Sequence, residues 1–340
     1  MKVLFVASGN GKVNGVSSFI LSQYKSLEAA GVEMQMFAVE GHGFWGYLRN
    51  LKQLRGRIEE FRPDVVHAHY SLCGFLTAIA CVGLHQKTYC SIMGGFPEVG
   101  IKHVKIKRFF VRFFANHIWD GTLAKSQISA DQFGGRDVKI VPNGINLQQF
   151  AIEDKQQARQ SLGFDEKKKY IIFPTFPKRF QKNYPLAEAA MRLVLGNVTI
   201  DDPEKRMGND QIEFRVLYDM LHDEVVRWMC AADVTLMTSR WEGSPNVIKE
   251  AMAVNCPIVS TVCGDVPWLI DGVEGCYLVT ESNPEAVAAD IRKALAYSDG
   301  TTDNPNGRTQ GREKIHALHL SVEEVAQKLI GLYGEAISKK

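Results

Sequence analysis

Short apolar runs alternate, along the first half of the chain, with longer stretches in which apolar residues recur every three or four positions. Short runs of this kind are typical of buried strands, and the longer stretches are typical of helices with one buried face. The predicted strands cover residues 3–7, 33–39, 64–68, 88–92, 121–124 and 138–141. The predicted helices between them include residues 16–30, 46–60, 72–84 and 104–114. Strands separated by helical crossovers predict a parallel sheet with helices on both faces.

The same alternation resumes after a turn-rich linker that begins at Pro142. It predicts strands at residues 170–174, 213–217, 233–237, 257–260 and 276–279. Residues 298–307 are polar and rich in turn formers, so they are expected to form a loop. Ser321 and Glu324 form a capping-box pattern, which predicts a helix that runs to Ile337.

These elements predict an α/β protein of two doubly wound, Rossmann-like domains that face a central cleft. The first domain would span residues 1–160 and the second residues 161–320. The C-terminal helix, at about 321–340, would pack back on the first domain.

Composition sets limits on the class of protein. A length of 340 residues and a hydrophobic content of 45% suit two domains with sizeable cores. The net charge of +2 gives no indication of nucleic-acid binding. The seven cysteines are scattered and odd in number, which is typical of reduced thiols. No signal-peptide pattern precedes the first strand and no apolar run reaches the length of a membrane span, so a cytoplasmic location is expected.

Two glutamates, Glu242 and Glu250, flank the start of a predicted helix that follows the strand at 233–237. Ser244 is a favourable N-cap residue, and Pro245 suits the first helical position, where its missing N–H costs nothing. Glu242 is therefore expected on a strand-to-helix loop at the carboxyl end of the sheet. Glu250 is expected about a turn and a half into the helix.

The first amides of this helix, those of Asn246 and Val247, should point into the mouth of the loop and attract an anion such as a phosphate. Two carboxylates beside a phosphate would repel it, so Glu242 and Glu250 are better suited to hold hydroxyl groups of a phosphorylated ligand. A nucleotide-sugar offers hydroxyls on both sides of a diphosphate. The pattern therefore favours a nucleotide-sugar site.

Two cationic residues, Arg179 and Lys182, occupy the loop after the predicted strand at 170–174. Ligands bind at such strand ends in open α/β sheets. The two cations could neutralise a diphosphate, with the arginine giving a forked contact.

Glycines also follow the first strand, at Gly9, Gly11 and Gly15. Their spacing does not match the dinucleotide-binding fingerprint, and Lys12 is followed by Val13 rather than by the Ser or Thr of a phosphate-binding Walker loop. Gly15 still permits a close approach of backbone amides to a ligand.

The segment from Glu242 to Glu250, and above all its end Pro-Asn-Val-Ile-Lys-Glu-Ala-Met-Ala, resembles the Glu-x7-Glu motif of retaining glycosyltransferases of family 4, which have the GT-B fold. Three further segments are similar to segments of that family. They are the loop that begins at Lys182, the linker Pro-Asn-Gly-Ile at Pro142, and the loop Gly-Asp-Val-Pro at Gly264.

The resemblance implies a metal-independent, retaining transfer of a hexose-type sugar from a nucleotide diphosphate, UDP-linked, to a hydroxyl of a glycan or lipid-linked saccharide. No cofactor is expected besides this donor, and polysaccharide biosynthesis is the expected context. The implied catalytic residues are Lys182, Arg179 and Glu242. The implied donor-binding residues are Gly15, Asn14, Gly94, Ser244, Asn246, Val247, Glu250 and Gly264.

One position departs from the family pattern, because Met93 stands where family 4 enzymes often carry a histidine. Methionine cannot titrate or donate a hydrogen bond. Ser91, Glu98 and the backbone of Gly94 could replace that histidine. Two alternatives therefore stay open: a nucleotide-sugar epimerase of the GT-B fold, and a non-catalytic nucleotide-sugar-binding protein.

His67 and His69 end a predicted strand and should face the same side. They could be part of a metal site, but no third ligand is close in sequence and no Asp-x-Asp motif occurs. Satisfied polar residues are the favoured interpretation.

The segment from Ile101 to Phe114 is both basic and aromatic. It could make a peripheral contact with an anionic membrane at the inner face, which would suit a lipid-linked acceptor. Alternatively, it is an ordinary helix that packs Phe109, Phe110 and Phe113 inward and leaves a basic face in solvent.

Overall fold

A computed structural model describes residues 1–10, 15–93, 104–133, 138–196, 199–202 and 206–339. Its strands are β1 Lys2–Ser8, β2 Glu33–Val39, β3 Val65–His69, β4 Lys87–Ile92, β5 Gly121–Ala124, β6 Lys139–Ile140, β7 Lys169–Phe173, β8 Thr199–Asp202, β9 Arg206–Gly208, β10 Ile212–Val216, β11 Val234–Met237, β12 Ile258–Thr261 and β13 Cys276–Val279.

The α-helices in this part of the chain are α1 Ser18–Ala29, α2 Gly43–Leu48, α3 Leu51–Phe61, α4 Ser71–Ala80, α5 Val104–His117, α6 Gln127–Asp131, α7 Lys155–Ser161, α8 Tyr184–Leu195, α9 His222–Ala231, α10 Asn246–Ala253, α11 Val266–Ile270, α12 Pro284–Ser298, α13 Gly311–Ala317 and α14 Val322–Ser338. A short 3₁₀ helix covers Phe180–Lys182. No helix of the described residues is long and apolar enough to cross a bilayer.

The chain divides into two compact units. The first comprises Met1–Gly144 and Leu320–Lys340, and the second comprises Ile145–His319. The division falls before the predicted boundary at residue 160, because Lys155 and Arg159 of α7 form ion pairs with Asp233, at the start of β11 in the second unit.

Each unit contains one sheet. In the first unit the strand order is β2-β1-β3-β4-β5-β6, and every described pair is parallel. In the second unit the order is β13-β12-β11-β7-β10-β9-β8, with the first five strands parallel and β9 antiparallel to both of its neighbours. The predicted α/β, doubly wound architecture is therefore confirmed.

Alternation along the first strand explains why helices cover both faces of the first sheet. Val3 and Phe5 pack into one apolar cluster with residues of α1 and α14, whereas Leu4 and Val6 pack into another with residues of α3 and α4. Since successive side chains of a strand point to opposite faces, a strand that is apolar throughout needs a cover on each side.

The predicted capping box at the start of α14 is confirmed. The hydroxyl oxygen of Ser321 accepts a hydrogen bond from the Glu324 amide, and the Glu324 carboxylate accepts one from the Ser321 amide. These bonds satisfy donors that a helix N-terminus otherwise leaves open.

The single helix predicted at residues 46–60 is wrong, because two helices, α2 and α3, occupy this region. The break is at Asn50, whose buried amide donates hydrogen bonds to the carbonyls of Glu40 and Gly46. An asparagine that bonds to the backbone in this way competes with helical hydrogen bonding.

Candidate functional site

The loops that follow β7 and β11 are joined by hydrogen bonds at the carboxyl end of the second sheet. The Thr238 hydroxyl donates to the carbonyls of Lys182 and Asn183, over 3.2 and 3.0 Å. Arg240 donates from its guanidinium to Oδ1 of Asn183 over 2.7 Å, and its amide donates to the carbonyl of Gln181 over 2.8 Å. Because β7 and β11 are parallel neighbours, these loops emerge side by side and fix the position of Lys182.

Lys182 and Glu242 form the central contact of this site. The Lys182 ammonium lies 2.7 Å from Oε1 of Glu242, and the two side chains are only 14% and 11% exposed. Ion pairs with so little exposure depend on a matching partner, because either charge alone would be poorly solvated. The pair brings together two of the three predicted catalytic residues, from loops 60 positions apart in sequence.

Arg179 lies on the same loop but not in this cluster. Its side chain is exposed, and within the described part of the chain it forms no hydrogen bond or ion pair with Lys182, Glu242 or Glu250. Only its backbone is tied to the loop, through the hydrogen bond that the Lys182 amide donates to the Arg179 carbonyl over 2.9 Å.

The predicted capping role of Ser244 is wrong. Helix α10 begins at Asn246, its N-cap is Pro245, and no side chain caps it. The hydroxyl of Ser244 lies instead 3.2 Å from the ammonium of Lys249, which donates to it. Asn246 and Val247 form the first turn of α10, as predicted, where backbone N–H groups have no acceptor within the helix.

Three buried or partly buried ionisable groups lie together behind this turn. Burial lowers the pKa of Lys249 to about 8, although the charges of Asp265 and Glu250 oppose the change. Burial raises the pKa of Glu250 to about 7 against the charges of Lys249 and Lys182. Burial likewise raises the pKa of Asp265 to about 6, and Lys249 opposes it. Ionisable groups with shifted pKa values tend to cluster at functional sites.

Gly264 allows the loop after β12 to approach the loop that carries Glu242. Its φ is +54°, and a Cβ there would lie 2.5 Å from the carbonyl oxygen of Gly243 and 2.8 Å from that of Glu242. The Asp265 amide donates to the Gly243 carbonyl over 3.2 Å. A side chain at Gly264 would therefore push the two loops apart, and glycine also tolerates the left-handed conformation.

The remaining predicted donor residues belong to the first unit. Gly15 has a φ of +74°, and a Cβ at this position would lie 3.1 Å from the carbonyl oxygen of Gly9. This glycine thus lies against the backbone of Gly9, just after the carboxyl end of β1. Asn14 and Gly94 lie outside the described residues.

Met93 is partly buried and packs against the apolar cluster of the first sheet that contains Phe5. The Ser91 hydroxyl lies 2.8 Å from Nε2 of His67. It is thus already engaged in the core, which weakens it as a substitute for the missing histidine. Glu98 lies outside the described residues.

His67 is a satisfied core residue, as favoured from the sequence. Its second ring nitrogen, Nδ1, is hydrogen bonded to the hydroxyl of Tyr333. Burial lowers its pKa to about 3, and the charge of Lys125 acts in the same direction. His69 stacks on His67, with ring centroids 4.5 Å apart, but neither of its buried ring nitrogens has a hydrogen-bond partner in the described part of the chain. The expectation of a satisfied residue is therefore wrong for His69. In the described part of the chain no three His, Cys, Asp or Glu residues are placed to hold a metal ion.

Lys249 and Asp265 are two further candidate site residues that were not predicted from the sequence. Lys249 is fully buried and Asp265 is 8% exposed. A lysine beside a glutamate in a helix usually indicates a solvent-exposed face, so the residue types alone pointed away from burial. Their positions in the sequence could have indicated them, because Lys249 immediately precedes Glu250 and Asp265 immediately follows Gly264, and both neighbours were predicted site residues.

The chain is similar to known glycosyltransferases. Residues 184–297 match the family described as glycosyl transferases group 1, and residues 13–149 match glycosyltransferase family 4. A similar curated protein is the UDP-Gal:alpha-D-GlcNAc-diphosphoundecaprenol alpha-1,3-galactosyltransferase of Escherichia coli. It is 23% identical over 248 residues, which cover 64% of this chain and 63% of that protein. The chain spans between 47% and 64% of the lengths of three curated relatives that it matches.

Solved structures show the same fold. Sucrose-phosphate synthase from Thermosynechococcus elongatus superimposes with a TM-score of 0.80 at 15% identity, over 100% of both chains. Anabaena HepE in complex with UDP-glucose superimposes with a TM-score of 0.73 at 18% identity, again over 100% of both chains.

Proposed function

The chain belongs to the group 1 and family 4 glycosyltransferases and has their two-domain GT-B fold, and we propose that it is a retaining glycosyltransferase. It moves a hexose-type sugar from a nucleotide-diphosphate sugar to a hydroxyl of a glycan or lipid-linked saccharide. The second unit binds the donor, and the first unit binds the acceptor.

The observation that carries this proposal is the contact between Lys182 and Glu242, with Glu250 on the adjoining helix α10. One cation and two carboxylates thus meet at the carboxyl end of a parallel sheet, where ligands of open α/β sheets bind. The cation can neutralise a diphosphate, and the carboxylates can accept hydrogen bonds from the hydroxyls of ribose and hexose. The arrangement therefore suits both the diphosphate and the sugar parts of a nucleotide-sugar.

Each residue has a proposed role in the transfer. Lys182 stabilises the charge that grows on the diphosphate as it leaves, and Arg179 swings from its exposed position to assist. Glu242 contacts the sugar side of the donor, and Glu250 accepts hydrogen bonds from the ribose hydroxyls. The amides of Asn246 and Val247 face the phosphates.

The proposed chemistry uses no metal ion. In metal-dependent transfer, a bound cation neutralises the diphosphate. In the proposed reaction, Lys182 and Arg179 neutralise the diphosphate instead of a metal ion. In a retaining reaction the leaving diphosphate can itself accept the proton of the acceptor hydroxyl, so the methionine at position 93 does not prevent turnover.

A UDP-linked donor is the proposed ligand. The names of two similar proteins support it, because the E. coli relative is a UDP-Gal-dependent enzyme and the Anabaena structure contains UDP-glucose. The name of the E. coli relative also includes a diphosphoundecaprenol-linked sugar, which supports a lipid-linked acceptor.

A thermal-shift screen with UDP, UDP-hexoses and other nucleotide-sugars tests donor binding. A ligand at about 100 times its Kd stabilises the folded state by about 2.7 kcal/mol, so a genuine donor should raise Tm by several degrees. Glu250→Ala should abolish the shift, whereas Lys167→Ala, an exposed lysine before β7, should keep it. If no nucleotide-sugar raises Tm, the donor site is wrong.

Transfer is tested separately, by incubating the stabilising donor with a bulk glycan and lipid extract and assigning the anomeric configuration of the product by NMR. Retained configuration supports the proposal. Inverted configuration contradicts the mechanism. If the donor binds but is neither transferred nor hydrolysed, the chain is better explained as a non-catalytic nucleotide-sugar-binding protein. Met93, in the position of the usual histidine, is the observation that favours this alternative.

A further inference from the structure

Helix α5 exposes a stripe of aromatic side chains to solvent, although the solvent-facing side of a helix is normally polar. Phe109, Phe110 and Phe113 are 66%, 48% and 44% exposed, and Ile106 is 56% exposed. These positions are spaced i, i+3, i+4 and i+7, so they lie on one side of the helix. A stripe with this spacing normally faces the core.

The opposite side of α5 already provides the contact with the core. Val111 and Ala115 are fully buried in a cluster with Trp119, and Phe114 packs against it. The helix is therefore held on the first unit without help from the exposed stripe. The predicted alternative, in which Phe109, Phe110 and Phe113 pack inward, is wrong.

The ring contacts of the exposed phenylalanines are with other residues of α5. The rings of Phe109 and Phe110 meet edge to face at 5.7 Å, and the ring of Phe113 lies 5.1 Å from that of His117. Contiguous exposed apolar surface of this kind marks an interaction site.

Charge indicates which partner fits. From Val104 to His117 the helix carries four Lys or Arg residues and no Asp or Glu, although the whole chain is nearly balanced, with 40 basic and 38 acidic residues. The described cations Lys107 and Arg112 lie on the two flanks of the stripe, whereas Arg108 lies on the side of Val111 and Ala115. A second copy docked face to face would bring these like charges together. An anionic lipid surface offers both an apolar layer and the opposite charge.

We infer that the face of α5 formed by Ile106, Phe109, Phe110 and Phe113 inserts into the headgroup region of an anionic bilayer, with the flanking Lys107 and Arg112 on the lipid headgroups. The helix would lie in the plane of the interface, since an aromatic side with cationic flanks suits that orientation. This contact does not depend on which sugar is transferred. A failed donor assay would leave it intact, and a failed lipid assay would leave the donor site intact.

Vesicle co-sedimentation of the full chain tests the inference. Vesicles of phosphatidylcholine alone are compared with vesicles that contain about one third phosphatidylglycerol, at low and high salt. The wild type should pellet with the anionic vesicles, weakly with neutral ones, and less at high salt. Each cation near an anionic surface contributes about fivefold in partitioning, so Lys107→Gln with Arg112→Gln should lower the partitioning at least about tenfold.

The aromatic stripe is tested with Phe109→Ser combined with Phe113→Ser. Both side chains are exposed, so the fold should be retained, and an unchanged circular-dichroism melting curve checks this. Partitioning should again fall at least about tenfold, because the apolar contribution to insertion is lost.

Matched controls come from exposed residues elsewhere. Lys25→Gln with Lys52→Gln removes two exposed lysines of the first unit, and Val82→Ser with Leu221→Ser removes two apolar side chains that are 68% and 79% exposed. Both controls should partition within about twofold of wild type. Equal binding by wild type and the α5 variants, no binding to anionic vesicles, or equal binding to neutral vesicles would overturn the inference. So would a wild-type dimer, in sedimentation velocity, that becomes monomeric in the phenylalanine variant.

Discussion

The ammonium group of Lys182 lies 2.7 Å from the carboxylate of Glu242, and this pair ties the loop after β7 to the loop after β11. Each charge is the partner of the other in this pair. A bound diphosphate would compete for the lysine and leave Glu242 able to accept hydrogen bonds from a sugar.

Lys182→Ala should therefore lower kcat more than it raises KM. The lysine is proposed to oppose charge that develops on the leaving diphosphate, and loss of one such group typically lowers turnover about 100-fold or more. Steady-state kinetics with the donor measure this, with Lys167→Ala as a control that removes an exposed lysine from the other end of β7. A kcat within twofold of wild type would contradict the proposed role.

Donor affinity should fall as the pH drops below about 7. The pKa of Glu250 is raised to about 7, so its carboxylate becomes protonated below that pH and accepts ribose hydroxyls less well. The dissociation constant for UDP, measured by calorimetry, should rise about tenfold from pH 8 to pH 5.5.

The same measurement on Glu250→Gln separates this residue from its neighbours Lys249, Asp265 and Lys182. The variant should bind UDP weakly at every pH, with a flatter profile. A profile that remains as steep as that of the wild type would assign the titration to another group, including the phosphates of the ligand.

Chelation should leave activity unchanged, because Lys182 and Arg179 are proposed to take the part of a metal ion. Transfer is measured after dialysis against EDTA and again after Mg²⁺ or Mn²⁺ is added. Activity that disappears on chelation and returns with the metal would refute a metal-independent reaction.

Gly264→Ala should weaken donor binding more than Gly272→Ala does. Both glycines have positive φ values, +54° and +71°, so both variants carry similar backbone strain. Only at Gly264 would the added Cβ meet the backbone of Glu242 and Gly243, whereas nothing lies within 4 Å at Gly272. Equal UDP affinities in the two variants would show that the loop contact does not shape the donor site.

Asp233→Asn should destabilise the second unit by about 3–5 kcal/mol at pH 7, because it leaves buried cations without their partner. Asp233 is fully buried and lies 2.8 Å from the ammonium of Lys155, with Arg159 also in contact. The exposed Asp303→Asn is the control, and a Tm equal to that of the wild type would contradict the expectation.

The same aspartate predicts a pH dependence of stability. Burial alone would raise its pKa, but the charges of Lys155 and Arg159 outweigh burial and lower it. Its contribution is therefore fully present above the unfolded pKa of about 3.9 and is lost as the pH falls through the lower folded value. Thermal melting from pH 7 to pH 3 should show a steeper loss for wild type than for Asp233→Asn.

Most strands could be predicted from the sequence, because buried parallel strands are short, continuous apolar runs. Glu33–Val39, Gly121–Ala124 and Cys276–Val279 have the bounds that the pattern predicts. The antiparallel strands β8 and β9 were missed. They are short and contain Asp201, Asp202 and Gly208, so they lack an apolar run. The pairing of β9 with β10 and of β8 with β9, rather than composition, makes them strands.

The residues of the candidate site were predicted from the sequence, but the contacts between them were not. Residue types and loop positions indicated Lys182, Glu242 and Glu250. Their meeting depends on β7 lying beside β11, which is a property of the sheet order. The burial of Lys249 depends in the same way on the loop that carries Asp265.

Helix α5 shows most clearly which properties depend on the local sequence and which depend on tertiary packing. The sequence by itself determined that this segment is a basic, amphipathic helix, because charge and apolar periodicity are local properties. It could not determine which side of the helix faces the core, since Phe109 and Val111 are both apolar and lie on different sides. The side of Val111 is buried against Trp119 and Phe75, whereas Phe109, Phe110 and Phe113 are exposed to solvent. Burial depends on which other parts of the fold lie against the helix, and the sequence of the helix alone does not contain that information.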